Sequence, residues 1–212
     1  MNDTALFQNA VLGYGQENDP FDASPSGEIV LFDMEFTAWE GSQERDWSED
    51  WEYREIIQIG AVRVKDDAKF REVDRLLLYV TPVRNPKLSD YIINLTGIDQ
   101  DTIDDTGFDF PEALDIFMDF CDGARAILSY SGDPHVLVEN CQLHGLKPVN
   151  TDRFGELYRV LGKRAGPEFA ETSSFDLPRL VGKPNDGRAH DAMDDAIAIA
   201  TTLRVLRQKD LL

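Results

Sequence analysis

Residues 29–36 read Ile-Val-Leu-Phe-Asp-Met-Glu-Phe. Four consecutive apolar residues have no polar face to show water, so Ile29–Phe32 is expected to be a central strand covered on both sides. Asp33 and Glu35 then follow on the same strand. Side chains alternate across a strand, so these two carboxylates share one face, with Cα atoms roughly 7 Å apart at a rise of about 3.3 Å per residue. On a dry face they would repel each other and hold their protons more tightly. A divalent cation removes that penalty, and hard oxygen ligands favour Mg²⁺ or Mn²⁺. Two acids at a wet strand end, with no cation, are the alternative reading of an Asp-x-Glu taken alone.

A second segment bears on that choice. His190-Asp-Ala-Met-Asp-Asp195 opens an amphipathic stretch expected to be a helix over residues 191–208, with an apolar stripe of Ala192, Ala196, Ile199, Leu203 and Leu206. Asp191 and Asp194 have the spacing of a capping box and suit the positive end of the helix dipole. Asp195 lies four residues before Ile199, on the edge of the stripe, and is placed to reach inward. His190 precedes the helix, where a loop can aim its ring at a neighbouring site.

Between these segments the chain reads as strands at 56–65 and 76–80, a helix at 87–94, a turn at Leu95-Thr-Gly-Ile98 and a helix at 111–121. A strand at 126–130 and helices at 133–143, 152–161 and 174–181 follow. Strands first, then helices alternating with single strands, point to an α/β fold with a mixed sheet flanked by helices. Asp133 follows Ser131-Gly132 at the end of a strand, where ligand sites of such sheets collect, and it also suits a helix N-cap. Residues 1–27 mix Asn, Asp, Gly, Ser and Pro without a period and read as a flexible extension, with a short helix at 5–12; the domain is expected to run over 28–212. Residues 40–53 are acidic, carry Trp47 and Trp51, and read as a loop or hairpin tip.

Composition narrows the function. The 212 residues suffice for one hydrophobic core. No apolar run reaches the roughly 18 residues of a membrane span, and no secretory leader is visible. Cys121 and Cys141 form no short-spaced ligand pair and read as reduced thiols of a cytoplasmic protein. A net charge of −19, from 40 acids against 21 bases, argues against broad affinity for a long polyanion. It does not oppose a site that takes only the end of one.

The order of the motifs resembles that of the DEDDh (DnaQ-like) family of 3′–5′ exonucleases, which have a ribonuclease H-like fold. Phe32-Asp-Met-Glu-Phe-Thr37 resembles the first exonuclease motif, Ser129-Tyr-Ser-Gly-Asp133 the second, and His190 with Asp195 the third. Ile57-Gln-Ile-Gly60, Val80-Thr-Pro82, Leu95-Thr-Gly-Ile-Asp-Gln100, Cys141-Gln-Leu143 and Gly187-Arg-Ala-His190 are similar to the ERI-1/KapD-like branch. The resemblance covers residues 28–208. It implies a mixed five-stranded sheet flanked by helices. It also implies two divalent ions, Mg²⁺ or Mn²⁺, held by Asp33, Glu35, Asp133 and Asp195, with His190 as general base. The implied substrate is the 3′ end of RNA or single-stranded DNA, and the product a nucleoside 5′-monophosphate. Met34, Phe36, Thr37 and Thr96 are implied to lie beside the terminal nucleotide, and the likeness allows a homodimer. Arg188 suits a phosphate or plain solvation. Two other expectations stand beside the enzyme: a non-catalytic binding module on the same fold, and an interaction protein whose anchor is the tryptophan-rich segment with Trp39, Trp47 and Trp51.

Overall fold

The computed structural model describes residues 19–185 and 187–212; the short helix expected at 5–12 falls outside them. Five strands form one sheet: β1 (Glu28–Phe36), β2 (Ile56–Lys65), β3 (Glu72–Tyr79), β4 (Ala126–Ser129) and β5 (Phe154–Glu156), in the order β3-β2-β1-β4-β5. β1 pairs antiparallel with β2 and parallel with β4, so the sheet is mixed and β1 is central. The expected α/β fold with a five-stranded mixed sheet is the one found.

The described helices are α1 (Asp90–Thr96), α2 (Gln100–Thr106), α3 (Phe110–Phe120), α4 (Asp133–Leu143), α5 (Leu157–Ala165), α6 (Glu168–Glu171), α7 (Leu177–Leu180) and α8 (Ala192–Gln208). Several begin on a side-chain oxygen that accepts a free N–H of the first turn: Ser89 for α1, Asp99 for α2, Asp109 for α3 and Asp191 for α8. Gly97 ends α1 at φ 77°, a left-handed conformation that glycine adopts without steric cost. That glycine makes the turn expected at residues 95–98.

The period-2 alternation of β1 divides the core. Ile29 and Leu31 face one layer, with Leu157, Leu161, Ala196, Ile199 and Leu203. Val30, Phe32 and Met34 face the other, with Phe110, Phe117, Val136 and Leu137. Both layers are dry, as a run of four apolar residues requires. A third cluster joins Ala38 and Ile57 to Ile92, Ile98 and Ile103 beneath α1 and α2.

Three expectations shift. Residues 152–161 are not one helix: Phe154–Glu156 is the edge strand β5, and α5 starts at Leu157. Asp133 is not an N-cap, because Gly132 holds that position without a side-chain cap and the Asp133 carboxylate is engaged elsewhere. Part of the segment expected to be a flexible extension is docked. Phe21 is buried against Phe70, and Asp19 and Asp22 both pair with Arg164. Among the described residues no helix is long and apolar enough to cross a membrane, and both cysteines are free and buried.

Candidate active site

The same alternation that buries Ile29 and Leu31 turns Asp33 and Glu35 toward α8, at the carboxyl end of β1. α8 reaches them because β2 lets it come close. Gly60 pairs with Asp33 across the sheet, and a Cβ on Gly60 would lie 2.3 Å from the Ala192 carbonyl carbon. Only glycine permits that approach of helix to strand. Gln58, fully buried, fixes the contact: its amide oxygen accepts from the Ala192 N–H (2.8 Å) and its amide nitrogen donates to Asp191 Oδ2 (3.1 Å). Asp191 also caps the Met193 and Asp194 N–H groups. Asp194 accepts from the Arg188 N–H, so the expected capping box closes on one side only.

Asp195 is thereby carried to the end of β1. Carboxylate oxygens of Asp33, Glu35 and Asp195 all lie within 4.8 Å of one another. Ser174 donates to Asp195 Oδ1 (2.6 Å) and the His190 N–H donates to Oδ2 (3.1 Å). Asp133 approaches from β4. The last β1–β4 pair is Leu31 with Leu128, and beyond it the Met34 N–H donates to Asp133 Oδ1 (3.0 Å). A hydrogen bond across 99 residues thus joins the second acid segment to the first.

The electrostatics follow from burial and like charge. Burial, then the charges of Asp133, Asp195 and Glu35, hold the Asp33 carboxyl well above the usual carboxylate range. Burial and Asp195 do the same to Glu35. Burial pushes Asp133 up to about 7, although the Met34 N–H opposes the rise. Burial raises Asp195, against the pull of Ser174 and His190. Among the described residues no lysine or arginine forms an ion pair with any of these acids. Such a cluster fits a divalent cation, which would replace several unfavourable protonations by one favourable charge.

The acids open into a cleft of about 230 Å³. Its floor is Asp33, Glu35 and Asp195, and its apolar walls include Met34, Phe36, Trp47, Tyr91, Leu95 and Phe175. His190 lines the rim, exposed, with φ 62° in the left-handed region, a strain of the kind that accumulates at functional sites. Trp47 leans on Phe36, with ring centroids 5.6 Å apart. Its indole N–H donates to the Thr37 carbonyl.

The sequence-predicted residues therefore divide. Asp33, Glu35, Asp195 and His190 meet in one cleft with Met34 and Phe36, and Asp133 touches Met34 from beneath. Thr37 and Thr96 are buried outside the cleft lining. The Thr37 hydroxyl bridges the Tyr53 carbonyl and the Glu55 N–H, and the Thr96 hydroxyl bridges the Ile92 carbonyl and the Ile98 N–H. Arg188 reaches the Asn94 and Leu95 carbonyls at the end of α1, so it ties the His190 loop to the opposite wall. Sequence reasoning missed Ser174 and gave Gln58 no role. A polar residue inside the apolar run Ile-Ile-Gln-Ile is a legible signal, since a buried amide requires partners. Ser174 carries no such mark.

The sequence profile described as exonuclease (RNase_T) matches residues 30–203. The 3′–5′ exonuclease Snipper of Drosophila melanogaster is 33% identical over 199 residues, covering 81% of this chain and 66% of that protein. The Homo sapiens 3′–5′ exoribonuclease 1 is 29% identical over 184 residues, covering 81% of this chain and 50% of that protein. The chain thus spans between half and two thirds of the length of these relatives. A crystallographic structure of the nuclease domain of 3′hExo, described as a DEDDh family member bound to rAMP, superimposes with a TM-score of 0.73. It is 25% identical and covers 91% of this chain and 95% of that domain.

Proposed function

The chain belongs to the exonuclease (RNase_T) family, of the DEDDh ribonuclease H-like type, and on that premise we propose that it removes nucleoside 5′-monophosphates from the 3′ ends of RNA or single-stranded DNA. The observation that carries this reading is the meeting of Asp33, Glu35 and Asp195 within 4.8 Å at the floor of a cleft walled by aromatic and aliphatic side chains. RNA is favoured by the name of the human relative and by the rAMP in the similar nuclease domain. An acidic chain suits an enzyme that grips an end rather than a length of polyanion.

Asp33, Glu35 and Asp195, with Asp133 beside them, are the residues to hold two divalent cations, Mg²⁺ or Mn²⁺. Bound there, such cations supply Lewis acidity toward water and phosphate oxygens. His190, exposed at the rim and free of ion pairs among the described residues, is the group to take the proton of the attacking water. Its N–H bond to Asp195 keeps that ring at the acid cluster. Phe36, Trp47, Tyr91 and Leu95 offer apolar faces to the terminal base. Thr37 acts through Tyr53 and Glu55, holding the Met34–Phe36 wall in place, and Thr96 acts through the α1 turn.

The test uses 5′-labelled RNA and DNA oligomers of one sequence with Mg²⁺, with Mn²⁺ and with EDTA. A ladder shortening from the 3′ end, dependent on the cation and lost in Asp33→Asn, is expected. A folded wild-type protein that cleaves neither oligomer with either cation contradicts the proposal.

A further inference from the structure

Trp47 has a second side. Behind it lies another cavity, of about 520 Å³, lined by Trp47, Tyr53, Arg54, Arg84, Asn140 and Gln142 together with Asp46, Glu52 and Glu139. Trp47 is the wall common to this cavity and the catalytic cleft. Each of the two arginines lies over an aromatic ring: Arg54 is 5.5 Å from the Trp47 centroid and Arg84 is 5.6 Å from the Tyr53 centroid.

The charges in the cavity are mostly spent on one another. Glu52 is held by Arg45 and Ser42, and Glu139 by a two-pronged pair with Arg54. Arg84 differs. Its side chain is exposed and forms no ion pair among the described residues, in a chain with 40 acids to offer. Asp46 is the remaining acid of the lining.

Buried polar side chains hold this corner rigid. Glu55, 1% exposed, accepts from the Val83 and Arg84 N–H groups with one carboxylate oxygen (2.6 and 2.8 Å) and from the Asn85 N–H with the other (2.7 Å). It thereby fixes the loop that presents Arg84. Asn140 donates to the Arg54 carbonyl (2.7 Å) and accepts from the Ile56 N–H (3.0 Å). Thr37 bridges the Tyr53 carbonyl to the Glu55 N–H. Arg54, Tyr53 and Arg84 are thus held in one frame with the strand that carries Asp33 and Glu35. A backbone fixed this way needs little further ordering on binding.

A planar guanidinium beside an aromatic face suits a unit that is both a flat ring and an anion. Bases stack on tyrosine or tryptophan without regard to sequence, and arginine takes the phosphate. We propose that this cavity is a further nucleotide subsite, in which Arg84 meets a phosphate and Tyr53 a base of a strand whose 3′ end lies in the catalytic cleft beyond Trp47, at a position past the nucleotide next to that end and so out of a dinucleotide's reach. The proposal rests on the exonuclease reading and adds where the strand is held outside the reacting nucleotide. It also gives the acidic segment 40–53 a role, since that segment supplies Trp47 and leads into Tyr53.

The test compares steady-state cleavage of single-stranded RNA of two and of twelve nucleotides by the wild type, Arg84→Ala, Arg84→Lys and Tyr53→Ala. For the twelve-nucleotide RNA, KM is expected to rise about tenfold in the two alanine variants, in keeping with one lost stacking or phosphate contact, with kcat unchanged. Arg84→Lys is expected to fall between them and the wild type. The dinucleotide KM is expected to stay unchanged throughout, which also reports that the variants fold. The slope of log KM against log salt is expected to flatten by about 0.7 in Arg84→Ala. An unchanged KM for the long RNA, or an equal rise for both lengths, overturns the subsite. Inhibition by added nucleoside monophosphate that Arg84→Ala relieves, without any length effect, would assign the cavity to free nucleotide and overturn the strand assignment. A wild type inert on both lengths refutes the exonuclease reading itself, a result distinct from the others.

Discussion

Replacing Asp133 by Asn is expected to stabilise the cation-free protein at alkaline pH while removing activity. The Asp133 carboxyl is pushed up to about 7 from an ordinary 3.8, chiefly by burial. Its folded-state pKa thus lies above its unfolded one, so the native state keeps a proton that the unfolded chain has released. The wild type is therefore most stable, as regards this group, below about pH 4 and loses stability as pH rises toward 7. Three units at about 1.4 kcal/mol each come to about 4 kcal/mol lost by pH 8. Asparagine does not titrate, and its carbonyl oxygen still accepts from the Met34 N–H. Urea unfolding of both proteins in EDTA, from pH 4 to 8.5, measures the difference. The curves are expected to coincide near pH 4 and to part by up to about 4 kcal/mol above pH 7, in favour of the variant. Added Mn²⁺ is expected to narrow that gap, because it stabilises the wild type more than a variant that has lost one of the four acids. Parallel profiles, or a variant less stable than the wild type at pH 8, would refute the view that the site's carboxylates are held in a high-energy state awaiting a cation.

Three further outcomes follow from the same geometry. Gly60→Ala would drive a methyl group into the Ala192 backbone and is expected to cost about 3 kcal/mol in chemical denaturation, with activity lost because Asp195 moves. Ser174→Ala removes the donor that lowers the Asp195 pKa, so the acid limb of the kcat/KM profile is expected to move to higher pH; an unmoved limb contradicts this role. Gln58→Leu leaves the Ala192 N–H and Asp191 without their buried partner; a loss of about 1–3 kcal/mol is expected on urea unfolding.

Legibility in the sequence followed the range of the forces. β2 was expected at residues 56–65 and is found as Ile56–Lys65, because its apolar run has one reading. α8 was legible for the same reason, with a stripe at helical spacing and Asp191 at its cap. α2 was not, since Gln-Asp-Thr-Ile-Asp-Asp-Thr buries only Ile103 and has no period to detect. β5 was hidden because three residues carry too little pattern to compete with the helix that follows them. β3 extends further than expected, to Glu72, because as an edge strand it exposes most of its length and shows little apolar alternation. In the site, strand parity put Asp33 and Glu35 on one face and the helical stripe put Asp195 on its edge, while the roles of these acids and of His190 came only from the family resemblance. The cap reading of Asp133, one of two offered for it, fails because capping is a local rule, whereas its partner at Met34 is 99 residues away. Ser174, Tyr91 and Phe175 come to the cleft only through tertiary packing, and nothing near them in the chain announces it; Trp47 stood out only as part of the tryptophan-rich segment.

The central claim is a hydrolysis that proceeds from the 3′ end and leaves the phosphate on the released nucleotide. Mass spectrometry of the products from an unlabelled twelve-nucleotide RNA with Mn²⁺, sampled through the time course, tests it most directly. Nucleoside 5′-monophosphates appearing in the order of the sequence read from the 3′ end are the expected result. Nucleoside 3′-monophosphates, internal fragments or release from the 5′ end would contradict the account.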